Sequence, residues 1–103
     1  MGFFGLMFGN DNSAVVKEMP NNGAVIIDVR TPAEFQGGHV AGSKNIPLQR
    51  IQGNVSEIKK IGKPVVLCCA SGARSGQATS FLKQQGIQCE NGGDWLQLNN
   101  LVR

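Results

Sequence analysis

Pro64-Val-Val-Leu-Cys-Cys-Ala-Ser-Gly-Ala-Arg-Ser75 is the stretch that decides the fold. Pro64 to Cys69 is a short, uninterrupted apolar run entered through a proline, which makes it a strand buried on both faces. Ala70 to Arg74 is too short and too glycine-centred for anything except a loop. From Ser75 to Gln85, Ala78, Phe81 and Leu82 share one apolar face, so a helix follows the loop and stops at Gly86.

The segments on either side repeat this logic. Ala24 to Val29 is a second β-branched run with polar Asp28 and Arg30 where it ends, and it reads as another strand buried on both faces. Ser43 to Pro47 is expected as a short strand and Ile87 to Cys89 as a brief one. Between them lie helical patterns. Asn12 to Met19 offers Ser13 as a cap and is stopped by Pro20, with Asn21-Asn22-Gly23 as a turn. One helical turn is expected after Pro32, through Phe35, closed by Gly37-Gly38. Leu48, Ile51, Val55, Ile58 and Ile61 recur at spacings of three and four, an amphipathic helix weakened by Gly53 and capped by Gly62. Asp94 to Leu98 forms a last helical turn after Gly92-Gly93. Strands alternating with helices define an α/β sandwich around a mostly parallel sheet.

The whole chain is 103 residues, the size of one domain, and with 41% hydrophobic and 17% charged residues it is neither a charged disordered segment nor membrane-spanning. Residues 12–103 are expected as that domain, with 1–11 an apolar flexible or docking arm too short to cross a bilayer. The net charge of +3 is spread along the chain without a basic run, which gives no footprint for nucleic acid. Three cysteines, two of them adjacent, cannot close a disulfide framework, and with the lone His39 they make no recognisable metal-ligand set. The absence of a signal segment favours the cytoplasm, although a mature exported chain would read the same way. A monomer is expected.

Ligands of such a sheet bind outside the carboxyl ends of its strands, where Cys69-Ala-Ser-Gly-Ala-Arg-Ser75 lies. Successive backbone N–H groups in a tight loop form an anion-binding concavity, and the helix beginning near Ser75 adds its positive end. Gly72 permits the turn, Arg74 supplies a permanent positive charge and Ser75 is a candidate helix cap. An ordinary cysteine is about 3% thiolate at pH 7, and bringing its pKa down to about 6.5 requires roughly 2.7 kcal/mol of preferential anion stabilisation. A helix terminus supplies about 0.3 to 2 kcal/mol. The remainder falls to several N–H donors or to Arg74.

Three ordered blocks resemble the rhodanese family of sulfurtransferases in its single-domain form: Ile27-Asp-Val-Arg through Glu34-Phe35, Gly38-His39 and Asn45-Ile46-Pro47; Val65 to Ser75 with its Cys-x-x-Gly-x-Arg loop; and Asn91-Gly-Gly-Asp-Trp95. The resemblance covers roughly Asn12 to the end, and it departs at Ser43, where the family more often has Ala. It implies a three-layer sandwich with a mostly parallel central sheet of about five short strands flanked by helices. It further implies that Cys69 is the nucleophile, taking a sulfane sulfur from thiosulfate, a persulfide or a polysulfide and passing it to a thiol or cyanide through an enzyme persulfide. Ala70, Ser71, Gly72, Ala73, Arg74 and Ser75 would bind the substrate sulfur, with Arg74 favouring anionic donors. The implied partners are a small sulfur-donor anion and a thiol acceptor, a thioredoxin-like or other protein thiol, with no cofactor. Asp28, Arg30, Glu34 and His39 match framework positions. A second class of reading is a non-enzymatic sulfur-carrier or redox-sensing module that acts with a protein partner.

Cysteine phosphatases use Cys-x5-Arg, a spacing that Cys68 and Arg74 also satisfy. Counted from Cys68 the third position is Ser71, whereas counted from Cys69 it is the expected glycine, Gly72, and no histidine precedes Cys68. Sulfur transfer is therefore the expectation. Cys68 and Cys89 are expected to pack, a resolving thiol being the alternative for each. His39 is expected as a hydrogen-bonded turn residue, with a catalytic base as the alternative, and Trp95 as core or as a rim contact.

Overall fold

The computed structural model describes residues 13–102, so the expected arm at 1–11 and the capping side chain of Ser13 lie outside the described residues. Four strands, β1 (Val25–Asp28), β2 (Lys44–Asn45), β3 (Val65–Cys69) and β4 (Cys89–Asp94), form a sheet in the order β2-β1-β3-β4. Every neighbouring pair is parallel. Among the described residues the sheet has four strands, one fewer than the five expected.

Those helices are α1 (Ser13–Asn21), α2 (Pro32–Gln36), α3 (Leu48–Ile51), α4 (Val55–Ile61), α5 (Ala73–Gln84) and α6 (Trp95–Leu101). Side chains of a strand alternate between faces, and the core divides accordingly. Ile27, Val65, Leu67 and Cys69 pack with Ile51, Ile58, Ala78 and Leu82 of α3, α4 and α5. Ile26, Val66 and Cys68 pack with Val16 of α1 and Leu98 of α6. The result is the expected three-layer sandwich. No helix among the described residues is long and apolar enough to cross a membrane.

Local differences from the expected elements have identifiable causes. The amphipathic segment from Leu48 to Ile61 is not one helix: a 3₁₀ turn, Gln52–Asn54, separates α3 from α4 at Gly53. There the Asn54 side chain donates to the Arg50 carbonyl at 2.8 Å, and Gly53 adds little helix preference to hold the α spacing. The helix α1 runs one residue past Pro20, so the proline lies inside its last turn rather than beyond its end. Beyond Ile87 and Cys89 the fourth strand continues to Asp94, although Asn91-Gly92-Gly93 lacks an apolar pattern, because it pairs along β3.

The register of β3 against β4 shifts between Leu67 and Cys68, where Gly92 is passed over. A Cβ at Gly92 would sit 2.8 Å from Val66 Cγ1 and 3.0 Å from the Leu67 carbonyl oxygen, so only glycine allows this approach. The bulge re-aims the strand end. It sets Asn91 toward the loop after β3 and brings Asp94 to cap α6, its carboxylate accepting the Leu96 N–H at 2.8 Å.

Candidate active site

Strand order reverses between β1 and β3, and a parallel sheet opens a crevice at such a point beyond its carboxyl ends. Cys69 is the last residue of β3 and is 0% exposed. The chain turns above it at Gly72, whose φ of 98° is a left-handed conformation, and a Cβ there would meet Gly93 Cα at 3.3 Å. This turn folds the loop back onto the sulfur. Gly72 N–H donates to Cys69 Sγ at 3.0 Å, and Ser75 reaches the same sulfur through its N–H and its Oγ, both at 3.4 Å.

The helix α5 begins at Ala73, two residues earlier than expected, so Ser75 lies in its first turn and is not the cap. Gly72 occupies the cap position and offers no side chain, while the preceding Ser71 Oγ accepts the Ala73 N–H at 3.5 Å. The amides of a first helical turn lack intrahelical acceptors, and the sulfur of Cys69 takes one of them. Burial alone pushes the Cys69 thiol up. The Ser75 hydroxyl and the N–H groups of Ser75, Ser71 and Gly72 outweigh that penalty and hold the thiol below its ordinary range. The stabilisation therefore comes from the loop's donors.

Arg74 turns to a different partner. Its two terminal nitrogens grip the Glu34 carboxylate at 2.8 and 3.1 Å. That hydrogen bond, with a further one from the Thr31 backbone, holds Glu34 down to about 2. Glu34 also completes a capping box at the start of α2, accepting from the Thr31 N–H at 2.9 Å while Thr31 Oγ1 accepts from the Glu34 N–H at 3.2 Å. Nothing in the sequence joins Glu34 to Arg74, forty residues apart.

Behind α2, Arg30 forks onto Asp28, with Nη2 2.7 Å from Oδ2. The same guanidinium donates to the carbonyls of Gly38 at 2.7 Å and Glu34 at 3.3 Å, and lies over the Trp95 ring. This buried pair fixes α2 and hence the carboxylate that holds Arg74. His39 Nδ1 is 2.7 Å from the Phe35 carbonyl and its ring stacks on Phe35, a turn contact within its own segment. Trp95 packs against the Val66 side of the core and beneath Arg30.

Cys68 and Cys69 face opposite sides of the sheet. Burial, reinforced by the Asp28 charge, pushes the Cys68 thiol up to about 12. Cys68 thus lies on the face of the sheet away from the loop, and its burial favours the neutral thiol. Burial likewise raises Cys89, whose thiol is 3.5 Å from the Thr79 carbonyl. Asn91, quoted above only as part of a signature block, proves central: its Oδ1 accepts from Ser75 Oγ at 2.7 Å and its Nδ2 donates to the Gly72 carbonyl at 3.1 Å. Its sequence signal was a polar residue immediately before two glycines, beyond the strand expected at Ile87 to Cys89.

A parallel α/β sandwich whose central strand ends in a cysteine wrapped by an amide-lined loop is an arrangement able to stabilise an anionic sulfur. The particular family follows from comparison: residues 12–94 match the Rhodanese-like domain, and the chain belongs to that family. An uncharacterized protein of Bacillus subtilis, YqhL, is 46% identical over 63 residues, covering 61% of this chain and 49% of that protein. A sulfurtransferase of Allochromatium vinosum is 44% identical over 62 residues, 60% of this chain and 57% of the relative. The thiosulfate sulfurtransferase GlpE of Pseudomonas aeruginosa is 31% identical over 72 residues, 70% of this chain and 64% of the relative. The chain spans about half the length of the first of these relatives. Among solved structures, a rhodanese with anions from E. coli superposes with a TM-score of 0.64 at 32% identity, covering 72% of this chain and 89% of that one. Reduced Bacillus anthracis CoADR-RHD gives a TM-score of 0.72 at 29% identity, covering 87% of this chain and 16% of that one.

Proposed function

We propose that the protein is a sulfurtransferase that carries a sulfane sulfur on Cys69. The observation that supports this most directly is the convergence of Gly72 N–H, Ser75 N–H and Ser75 Oγ on one sulfur. In the first half-reaction the Cys69 thiolate attacks the outer sulfur of thiosulfate. A sulfur–sulfur bond forms to Cys69, the donor's sulfur–sulfur bond breaks, and sulfite leaves with its electron pair. In the second, cyanide or a thiolate attacks the outer sulfur of the persulfide, and the Cys69 thiolate is released. Every step balances in sulfur and calls for no cofactor.

The loop from Ala70 to Arg74 cradles the outer, anionic sulfur, while the donors from Gly72 and Ser75 stabilise Cys69 Sγ as attacking and leaving group. Arg74 draws anionic donors to the loop and shares its charge with Glu34. A thioredoxin-like or other protein thiol serves as well as a small acceptor.

Thiocyanate formation from thiosulfate and cyanide tests the proposal. The wild-type chain turns over; Cys69→Ser abolishes turnover, and Cys68→Ala keeps it within about twofold. Full activity in Cys69→Ser overturns the assignment. Burial of Cys69 beneath its loop favours one second reading, a sulfur carrier whose loop is opened by a protein partner. Persulfide formation without turnover by the isolated chain is its signature.

A further inference from the structure

The Ser75 hydroxyl faces two acceptors with one proton. Its Oγ is 2.7 Å from Asn91 Oδ1 and 3.4 Å from Cys69 Sγ. The Asn91 amide has a fixed orientation, because Nδ2 donates to the Gly72 carbonyl at 3.1 Å and Oδ1 accepts the Gly93 N–H at 2.9 Å. Rotating the amide by half a turn would set its NH₂ against the Gly93 donor and its oxygen against the Gly72 carbonyl. Asn91 therefore presents only oxygen to Ser75. The hydroxyl proton lies on the shorter contact, toward Asn91, and the Ser75 oxygen is left to accept from a protonated Cys69.

A thiolate has no proton to give and needs donors instead. To stabilise it, the hydroxyl must swing its proton from Asn91 to the sulfur. Ser75 is fully buried, so water does not substitute. The swing leaves Asn91 Oδ1 with its Gly93 N–H, so no buried oxygen is stranded and the cost is the single Ser75–Asn91 hydrogen bond.

We propose that Asn91 is a positioning residue that holds the Ser75 proton while Cys69 is a thiol and yields it when the sulfur becomes anionic. Ionisation of Cys69 is then a competition between the sulfur and Asn91 for one proton. The proposal deepens the sulfurtransferase reading, since the same swing accompanies release of the Cys69 thiolate from the persulfide. Its test needs no sulfur transfer, so either can fail alone.

The measurement is the pH dependence of Cys69 alkylation by iodoacetamide, with peptide mass identifying the modified thiol. Several other groups surround the loop. Arg74 on α5 is paired with Glu34 on α2, and Asp28 with Arg30 at the end of β1. Asp94 ends β4, and the remaining thiols are Cys68 on β3 and Cys89 on β4. All stay unchanged across the variants, so their effects cancel in the comparison.

Ser75→Ala removes a donor and raises the Cys69 pKa. Asn91→Ala frees the hydroxyl for the sulfur and lowers it, raising the thiolate fraction below the midpoint by about three- to tenfold. In the Ser75→Ala background Asn91→Ala has no further effect. Asn91→Leu, with the same branched shape and number of side-chain heavy atoms as asparagine but no hydrogen-bonding group, repeats the comparison if the alanine variant does not fold. A residue that only braced the loop would do the opposite, loosening the Gly72 turn and raising the pKa. A raised or unchanged pKa in both Asn91 variants, or a shift that persists without the Ser75 hydroxyl, overturns the proposal.

Discussion

Adjacent cysteines with opposite fates show how far one residue's place in a strand decides its chemistry. Cys68 and Cys69 share a strand and a composition, but alternation turns Cys68 toward Val66 and Leu98 and Cys69 beneath the loop. Burial without donors pushes Cys68 up to about 12, while donors carry Cys69 the other way. The folded state thus holds the Cys68 proton more tightly than the unfolded chain, whose cysteines titrate near 8.5. That contribution to stability is complete below pH of about 8.5 and is lost as the pH climbs through 12. The melting temperature of the wild type is therefore expected to fall between pH 8.5 and 11 more steeply than that of Cys68→Ala; parallel profiles would contradict the assignment. That Cys69 and not Cys68 would lie beneath the loop was legible in the sequence from the position of Gly72. The hydroxyl of Ser75 was not, because its roles as cap and as sulfur donor differ only in whether α5 starts at Ala73 or at Ser75.

At the scale of elements, α2 is five residues long and buries no side chain fully, yet it holds the charge of the site. The Arg30 fork anchors it to β1, and Glu34 projects from it onto Arg74. The carboxylate stays ionised down to about 2, so the pair persists through the whole range in which a thiol titrates. Thiosulfate carries two negative charges, and Glu34 opposes it. Glu34→Gln keeps an oxygen for Thr31 and a weaker acceptor for Arg74 while removing the charge. It is expected to raise kcat/KM for thiosulfate about threefold at low ionic strength, with the gain shrinking as salt is added. A fall in kcat/KM would show that the carboxylate is needed to hold Arg74 in place. The strand-loop-helix order around Cys69 was plain from the apolar runs and glycines, and so was the amphipathic face from Leu48 to Ile61. Its division at Gly53 was not, since a weak helix former marks where a helix bends without saying that the Asn54 side chain will take the Arg50 carbonyl.

For the whole molecule, the all-parallel order β2-β1-β3-β4 brings the ends of β1, β3 and β4 to one edge. That edge joins Cys69 and Asn91, residues far apart in the chain, around one loop. The two-faced core was readable because Ala24 to Ile27 and Pro64 to Cys69 are continuous apolar runs with no polar face. The fourth strand was only half readable: past Cys89 it is built from Glu90, two glycines and polar residues, and its pairing with β3 carries it. The Gly92 bulge that delivers Asn91 belongs to that unreadable half, which is why the proposed proton competition emerges only from the folded chain. The most direct test of the central claim is the mass of the reduced protein after incubation with thiosulfate. Gain of one sulfur on the peptide containing Cys69, lost on treatment with cyanide and absent in Cys69→Ser, is the predicted result. No added sulfur, or the same gain in Cys69→Ser, would contradict it.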